Sequence, residues 1–256
     1  MSSAARASRR SPSDVSVHLY ALCWNEERML PYFLRHYESV VDRFFVFDDG
    51  STDLSRALLE RHPKVELGAF DRDGDSYVLS AMRFYREAWK ESRGHADWVI
   101  VCNVDEHVYH RDLLGYLLRC RERGVTLVGT LGYEMVGDGF PEGFGRLCDE
   151  VVRGVRWDRL DKVAIFDPTA IAEIGYSPRR HVARPTGDVV FPARRTVKLL
   201  HYKHLGLAYL VQRQAELRTR LLPGDVAQRY GIQYLKSADE IRRDFEALSR
   251  AAVPVL

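Results

Sequence analysis

Residues 16–53 read SVHLYALCWNEERMLPYFLRHYESVVDRFFVFDDGSTD. The opening SVHLYALCW (16–24) is apolar and β-branched and predicts a strand. In NEERMLPYFLRHYESV, Met29, Leu30, Phe33, Leu34 and Tyr37 recur at helical spacing. Asn25 is its candidate N-cap, and Pro31 falls near the first turn, where proline is tolerated. RFFVF (43–47) predicts a second strand. It leaves through Asp48-Asp49-Gly50-Ser51, with Ser51 or Thr52 placed to cap a helix through SRALLERH. A strand, a helix and a strand, with acids at both strand exits, is the unit from which the rest is read.

Moving outward, KVELGAF (64–70) predicts a third strand and SYVLSAMRFYREAWKES (76–92) an amphipathic helix with Val78, Met82, Tyr85 and Trp89 on one face. WVIVCN (98–103) predicts a buried fourth strand that runs into Asp105, Glu106 and His107. RDLLGYLLRCRER is a further helix and VTLVGTLGY (125–133) a further strand. Strict alternation predicts an α/β fold with a mostly parallel central sheet and helices on both faces. After Tyr133 the pattern loosens. GDGFPEGFG reads as a loop, KVAIF, TAIAEI, VVF and TVKLLHY as short strands, and His204–Leu222 and Asp239–Ser249 as helices. The expected organisation is a disordered tail (1–15), a ligand-binding α/β region (16–133), a mixed region of the same domain (134–203) that could hold a second substrate, and a C-terminal helical segment (204–256).

Composition sets the outer limits. The chain has 256 residues, 46% hydrophobic and 29% charged, as in ordinary globular proteins. A net charge of +2 argues against a large nucleic-acid footprint. Only six of the 38 basic residues are Lys, a bias that reflects a GC-rich genome as readily as a function. Cys23, Cys102, Cys120 and Cys148 form no CxxC pair and read as buried thiols in a reducing cytoplasm. The start, MSSAARASRRSPSD, lacks the apolar core of a signal peptide, and no apolar run is long enough to span a bilayer.

In an open α/β sheet, ligands bind outside the carboxyl ends of the strands. Three acidic clusters fall there: Asn25-Glu26-Glu27, Asp48-Asp49 and Asn103-x-Asp105-Glu106. Each alone has a plain explanation, as a helix start favoured by the dipole or as an Asx-type turn. Together they would repel one another unless a divalent metal and a donor-rich ligand lay between them. Asp71, Asp73 and Asp75 in FDRDGDSY are not a calcium loop, because Gly74 falls at the fourth position and Met82 occupies the twelfth. They read as a solvated loop.

WNEERMLPYFLRHYESVVDRFFVFDDGSTDLS resembles the opening of family 2-like glycosyltransferases with the A-type (GT-A), Rossmann-like fold. NVDEHVYH resembles their Asp-x-Asp signature, and LLHYKHLGLAYLVQR their late His-Tyr stretch; the likeness covers about residues 16–235. It implies transfer of a sugar from a nucleoside-diphosphate sugar, UDP favoured, to an acceptor hydroxyl, assisted by Mn²⁺ or Mg²⁺. By that resemblance Asn25, Glu26, Asp48 and Asp49 frame the nucleoside, and Asp105 holds the metal. The first Asp of the signature is Asn103 here, a poorer ligand for a hard cation, with Glu106 as a possible helper. His201 is the expected second ligand and Lys203 a point charge for the diphosphate. The family's usual carboxylate base has no counterpart in GYSPRRHVARPTGD. His181 is therefore the first choice for general base, ahead of Asp188 and Glu134. Trp24 either stacks on the base or packs in the core.

Two other readings stay open. A nucleotidyltransferase would share the sheet and metal, but WNEER is acidic where a triphosphate loop should be basic. A degenerate sugar-nucleotide-binding module is suggested by Asn103. The lack of GxGxxG after the first strand argues against a Rossmann dehydrogenase. A soluble small-molecule or glycan acceptor is expected, and neither its identity nor the oligomeric state is written in the sequence.

Overall fold

The computed structural model describes residues 15–256, so the predicted tail lies outside the described residues but for Val15. In chain order the strands are β1 (Val17–Cys23), β2 (Arg43–Asp48), β3 (Val65–Ala69), β4 (Trp98–Val101), β5 (Glu106–Tyr109), β6 (Leu127–Gly129), β7 (Leu131–Gly137), β8 (Arg153–Arg156), β9 (Val163–Phe166), β10 (Ile171–Glu173), β11 (Thr186–Gly187), β12 (Lys198–Leu205) and β13 (Val253–Pro254). The helices are α1 (Leu30–Tyr37), α2 (Ser55–Arg61), α3 (Tyr77–Glu87), α4 (Leu113–Glu122), α5 (Leu147–Glu150), α6 (Leu207–Arg218), α7 (Pro223–Ala227) and α8 (Ala238–Ala251).

One sheet has the order β3-β2-β1-β4-β9-β6. β1 pairs in parallel with both β2 and β4, so the chain changes direction across the sheet at the β1–β4 boundary, the usual ligand crevice of such sheets. All of β1 is buried because both sheet faces are covered. Val17, Leu19 and Ala21 pack with Phe33 and Tyr37 of α1, Leu59 of α2 and Leu117 of α4. Tyr20 and Leu22 face the other way, onto Ala81 and Tyr85 of α3 and onto Trp89. A second sheet, β13-β8-β7-β12-β5, joins the first of these cores through Met135, Leu199, Leu200 and Tyr202.

The structure corrects several expectations. The first sheet is parallel only over β3-β2-β1-β4, since β9 runs antiparallel to both β4 and β6. VTLVGTLGY is two strands. It breaks at Thr130, whose backbone N–H and hydroxyl both donate to the Lys162 carbonyl, at 2.9 and 3.0 Å. β6 stays in the first sheet while β7 crosses to the second. VVF (189–191) forms no strand, although the Val190 carbonyl accepts from the amides of Thr126 and Leu127. The acidic knot after β4 opens a strand that periodicity missed: EHVY is β5, antiparallel to β12. Asn25 does not cap a helix. It has φ +48°, α1 starts at Leu30, and the Asn25 side chain bonds Thr52 at its amide (2.8 Å) and hydroxyl (3.2 Å). Ser51 and Thr52 cap nothing either; α2 starts at Ser55, and Ser51 Oγ accepts from the Asn25 amide at 2.9 Å. These side chains instead sew the exit of β1 to the exit of β2.

Candidate active site

Strand register builds the centre of the site. On β12, His201 stands opposite Glu106 of β5 on one side and Glu134 of β7 on the other. Asp105 directly precedes β5, and its carbonyl accepts from the Tyr202 amide at 2.8 Å. His201 therefore lies between two carboxylates: Nε2 is 3.1 Å from Asp105 Oδ2 and Nδ1 is 2.9 Å from Glu134 Oε2. His204 Nδ1 lies 3.2 Å from the same Glu134 oxygen. Burial disfavours the His201 cation, but Glu134 and Asp105 outweigh it and raise the imidazole to about 10. Burial acts to raise both carboxylates as well, and here His201 prevails, holding Asp105 and Glu134 below the ordinary range.

This cluster forms one wall of a cavity of about 530 Å³, within the range of roughly 300–1,000 Å³ usual for small-molecule sites. Trp24, Glu26, Asp49, Asn103, Asp105, Glu134, His181, His201 and Lys203 all line it. Asn25 and Asp48 do not; the Asp48 carboxylate accepts from the Ser51 amide in the turn after β2. Asp188 is exposed, outside the lining, and joined to its surroundings by its backbone. His181 Nδ1 lies 2.7 Å from the Arg159 carbonyl, so this nitrogen carries the proton and leaves Nε2 as a base. Burial, then Lys162, lowers the His181 pKa and keeps the ring neutral.

Arginines that sequence reasoning did not single out occupy the end of the cavity beside Glu26 and Asp49. Asp49 accepts from Arg72 in a fork (2.8 and 2.9 Å) and from Arg220 (2.6 Å). Arg213 of α6 pairs with Glu26 and donates to the carbonyls of Trp24 (3.0 Å) and Asn25 (2.9 Å). Both α6-side guanidinium groups approach the Trp24 ring, at 5.5 Å for Arg213 and 4.2 Å for Arg220. Burial raises Glu26 to about 7, against the pull of Arg213. The C-terminal segment thus locks the exits of β1 and β2, and the Asp49 carboxylate is shared between Arg72 and Arg220.

Asn103 and Glu106 line the cavity floor but are tied into the structure there. Glu106, 2% exposed, pairs with Lys162 and with Arg180 at 3.0 Å, and accepts from Asn103 Nδ2 at 3.3 Å. Arg180 also donates to Asn103 Oδ1 (2.7 Å) and to the Val101 carbonyl (2.9 Å), with its guanidinium 4.4 Å from the Tyr85 ring centroid. Burial would raise Glu106, but Lys162 and Arg180 hold it well below the carboxylate range. A carboxylate held by two buried cations is not available to a metal, which corrects the helper role expected of Glu106. The Asn103 amide is likewise taken up by Arg180 and Glu106.

Among the described residues, no group of three or more His, Cys, Asp or Glu side chains is arranged to hold an ion. Asp105 and His201 stand 3.1 Å apart, with Glu134 on the far side of the ring. Lys203, two residues along β12 from His201, lines the same cavity with no carboxylate partner among the described residues and its ammonium 5.8 Å from the Tyr234 ring. Burial lowers its pKa. No helix of the described residues is long and apolar enough to cross a membrane.

No protein-family model matches the chain, and no curated protein matches its sequence. Among solved structures it is similar to S. aureus TarS 1–349, with TM-score 0.43 and 9% identity over 78% of this chain and 63% of that one. It is similar to the same protein in complex with UDP-GlcNAc, with TM-score 0.43 and 9% identity over 73% of this chain and 59% of that one. It is also similar to glucosyl-3-phosphoglycerate synthase from Mycobacterium tuberculosis in complex with Mn²⁺, UDP and phosphoglyceric acid. There the TM-score is 0.33 and the identity 15%, over 46% of this chain and 43% of that one. The chain spans less than two thirds of each of these, and at such scores the likeness carries no functional assignment.

Proposed function

We propose that this chain is a glycosyltransferase that moves a sugar from a nucleoside-diphosphate sugar, UDP the favoured nucleotide, to an acceptor hydroxyl. The observation that carries the reading is the Asp105–His201–Glu134 line beside Lys203, which has no carboxylate partner among the described residues, in the crevice outside β1 and β4. A divalent cation such as Mn²⁺ or Mg²⁺ would be held by Asp105 and by His201 once it replaces the proton that His201 Nε2 shares with Asp105. His201 Nε2 and the Asp105 carboxylate face each other, and Glu134 fixes the imidazole from behind as second-sphere carboxylates do. Two protein donors with substrate oxygens completing the sphere is the usual arrangement for such ions. A cation held by Asp105 and His201 supplies charge stabilisation to the departing diphosphate.

The remaining work falls to the chain itself. Lys203 places a second positive charge against the diphosphate, worth most where burial lowers the local dielectric. Trp24, Glu26 and Asp49 shape the nucleoside end. His181, with Nδ1 committed to the Arg159 carbonyl, takes the acceptor hydroxyl proton at Nε2 while the acceptor oxygen bonds to the anomeric carbon and the diphosphate leaves. A single displacement of this kind inverts the anomeric centre. Four buried free thiols agree with the cytoplasmic setting we propose. Incubation with UDP-, GDP- and dTDP-sugars and Mn²⁺ tests the reading. Release of free nucleoside diphosphate is expected. Pyrophosphate release from a triphosphate would favour a nucleotidyltransferase, and binding without turnover a degenerate module.

A further inference from the structure

The cavity's charges pair off with a remainder. Glu26 faces Arg213, Asp49 faces Arg72 and Arg220, Glu106 faces Lys162 and Arg180, and Asp105 and Glu134 share His201. Asp225, the other lining carboxylate, is taken up by Ser76 Oγ and two backbone amides of α3. On the cationic side, Lys203, Arg159 and Arg179 line the cavity with no carboxylate partner among the described residues. Lys203 stands on β12 beside His201 and belongs with the donor diphosphate. The two arginines stand elsewhere: Arg159 holds His181 Nδ1 through its carbonyl, and Arg179 precedes His181 by two residues.

Arg179 is held in place at some cost. It and Arg180 both have left-handed backbones, φ +62° and +60°, a conformation that non-glycine residues adopt only when their surroundings impose it. Here Arg180 imposes it, by its bonds to the Val101 carbonyl, Asn103 and Glu106. With Arg180 turned into the floor, Arg179 is left at the cavity, its guanidinium 5.4 Å from the Tyr230 ring. Its Nη2 is buried and has no hydrogen-bond partner. A buried guanidinium nitrogen without an acceptor is destabilising unless an anion completes it.

On the glycosyltransferase reading, which it deepens, we infer that Arg179 and Arg159 form an anion subsite for the acceptor, so that the acceptor carries a phosphate or carboxylate group near its reacting hydroxyl. The group beside the base is the acceptor, and this wall presents positive charge that no acid among the described residues pairs with. The forked guanidinium is suited to bidentate recognition of either anion.

The test is isothermal titration calorimetry on the full chain saturated with UDP and Mg²⁺, using inorganic phosphate in one arm and acetate in the other. At least one anion is expected to bind at a single site, and the arm that does identifies the group. Arg179→Met should weaken that binding about tenfold or more, the loss of a charge-assisted hydrogen bond, while UDP affinity stays within about twofold. Arg179→Lys should recover part of it. Circular dichroism of each variant establishes that it is folded. Failure of both anions to bind the UDP-loaded protein, competition between anion and UDP, or an Arg179→Met variant that binds like the wild type would overturn the inference. Failure of UDP itself to bind would overturn the donor reading instead; the anions are then titrated into the unliganded chain, where the Arg179 dependence still decides.

Discussion

Replacing Glu106 by Gln separates a structural carboxylate from a metal-binding one. The side chain is 2% exposed, between Lys162 and Arg180 at 4% and 3%. Gln keeps the shape but removes the charge and turns an N–H donor toward one of two cations that can only donate. Breaking a buried ion pair from one side costs about 3–5 kcal/mol, because the partner charge stays buried without compensation. Two cations share this carboxylate, so the upper part of that range is expected. For a chain of this size each kcal/mol lowers Tm by roughly 2–4 °C, so a loss of about 4–5 kcal/mol gives a fall of about 8–20 °C. Urea unfolding followed by circular dichroism, with m unchanged, gives the free energy directly. A loss below about 1 kcal/mol, inside the range of neutral surface substitutions, would refute the reasoning. So would a Glu106→Gln protein of wild-type stability that has lost its response to Mn²⁺, since Glu106 would then be a ligand.

Other consequences are open to measurement. His36 is buried, stacked on the orphaned His107 ring at 4.7 Å, and burial lowers it to about 4 from 6.5. The unfolded chain then binds the extra proton between these values, so stability falls as pH drops from 6.5 toward 4, by about 2 kcal/mol from His36 at pH 5. Urea unfolding at pH 7 and pH 5 should show a steeper loss in the wild type than in His36→Gln; parallel profiles would contradict it. Asp225 anchors the segment carrying Tyr230 and Tyr234 by accepting from Ser76 Oγ (2.6 Å) and the amides of Tyr77 (2.9 Å) and Val78 (3.1 Å). Asp225→Ala should lower the free energy of opening of residues 223–236 by about 2–3 kcal/mol, read as amide exchange roughly 30–150 times faster there; unchanged exchange would show that the anchor lies elsewhere. At Gly132 a Cβ would meet Leu160 Cβ at 2.1 Å and the Leu160 backbone at 2.5 Å. Gly132→Ala should therefore cost about 1–3 kcal/mol by overpacking, and a Tm equal to that of the wild type would contradict it.

What the sequence reveals and what it conceals follow from the range of the interactions. Strands β1 to β4 and their helices are legible because burial on both faces leaves continuous apolar runs between amphipathic stretches. The acids at the strand exits are legible because topology alone brings those ends together. The second sheet is harder. Its strands are short, and Thr130 diverts β6 into β7 through bonds to Lys162, a contact that no local pattern announces. The partners of the acids are harder still. Arg213 and Arg220 return to Glu26 and Asp49 from across the chain, and Lys162 and Arg180 claim Glu106 from loops with no distinctive spacing. A carboxylate next to a metal motif and a carboxylate beneath one look alike in sequence; only their partners distinguish them. His201 is legible as a candidate ligand, yet it lies within β12 and the Glu134 that orients it appears only through the β7–β12 register.

The central claim is that Asp105 and His201 together hold the cation that meets the donor diphosphate. Its most direct measurement is diffraction at the manganese edge from crystals soaked with Mn²⁺ and UDP. The account predicts one anomalous peak bonded to an Asp105 carboxylate oxygen and to His201 Nε2, with diphosphate oxygens and Lys203 on its other side. A peak elsewhere, or UDP bound with Asp105 and His201 still hydrogen-bonded to each other and no metal between them, would contradict it.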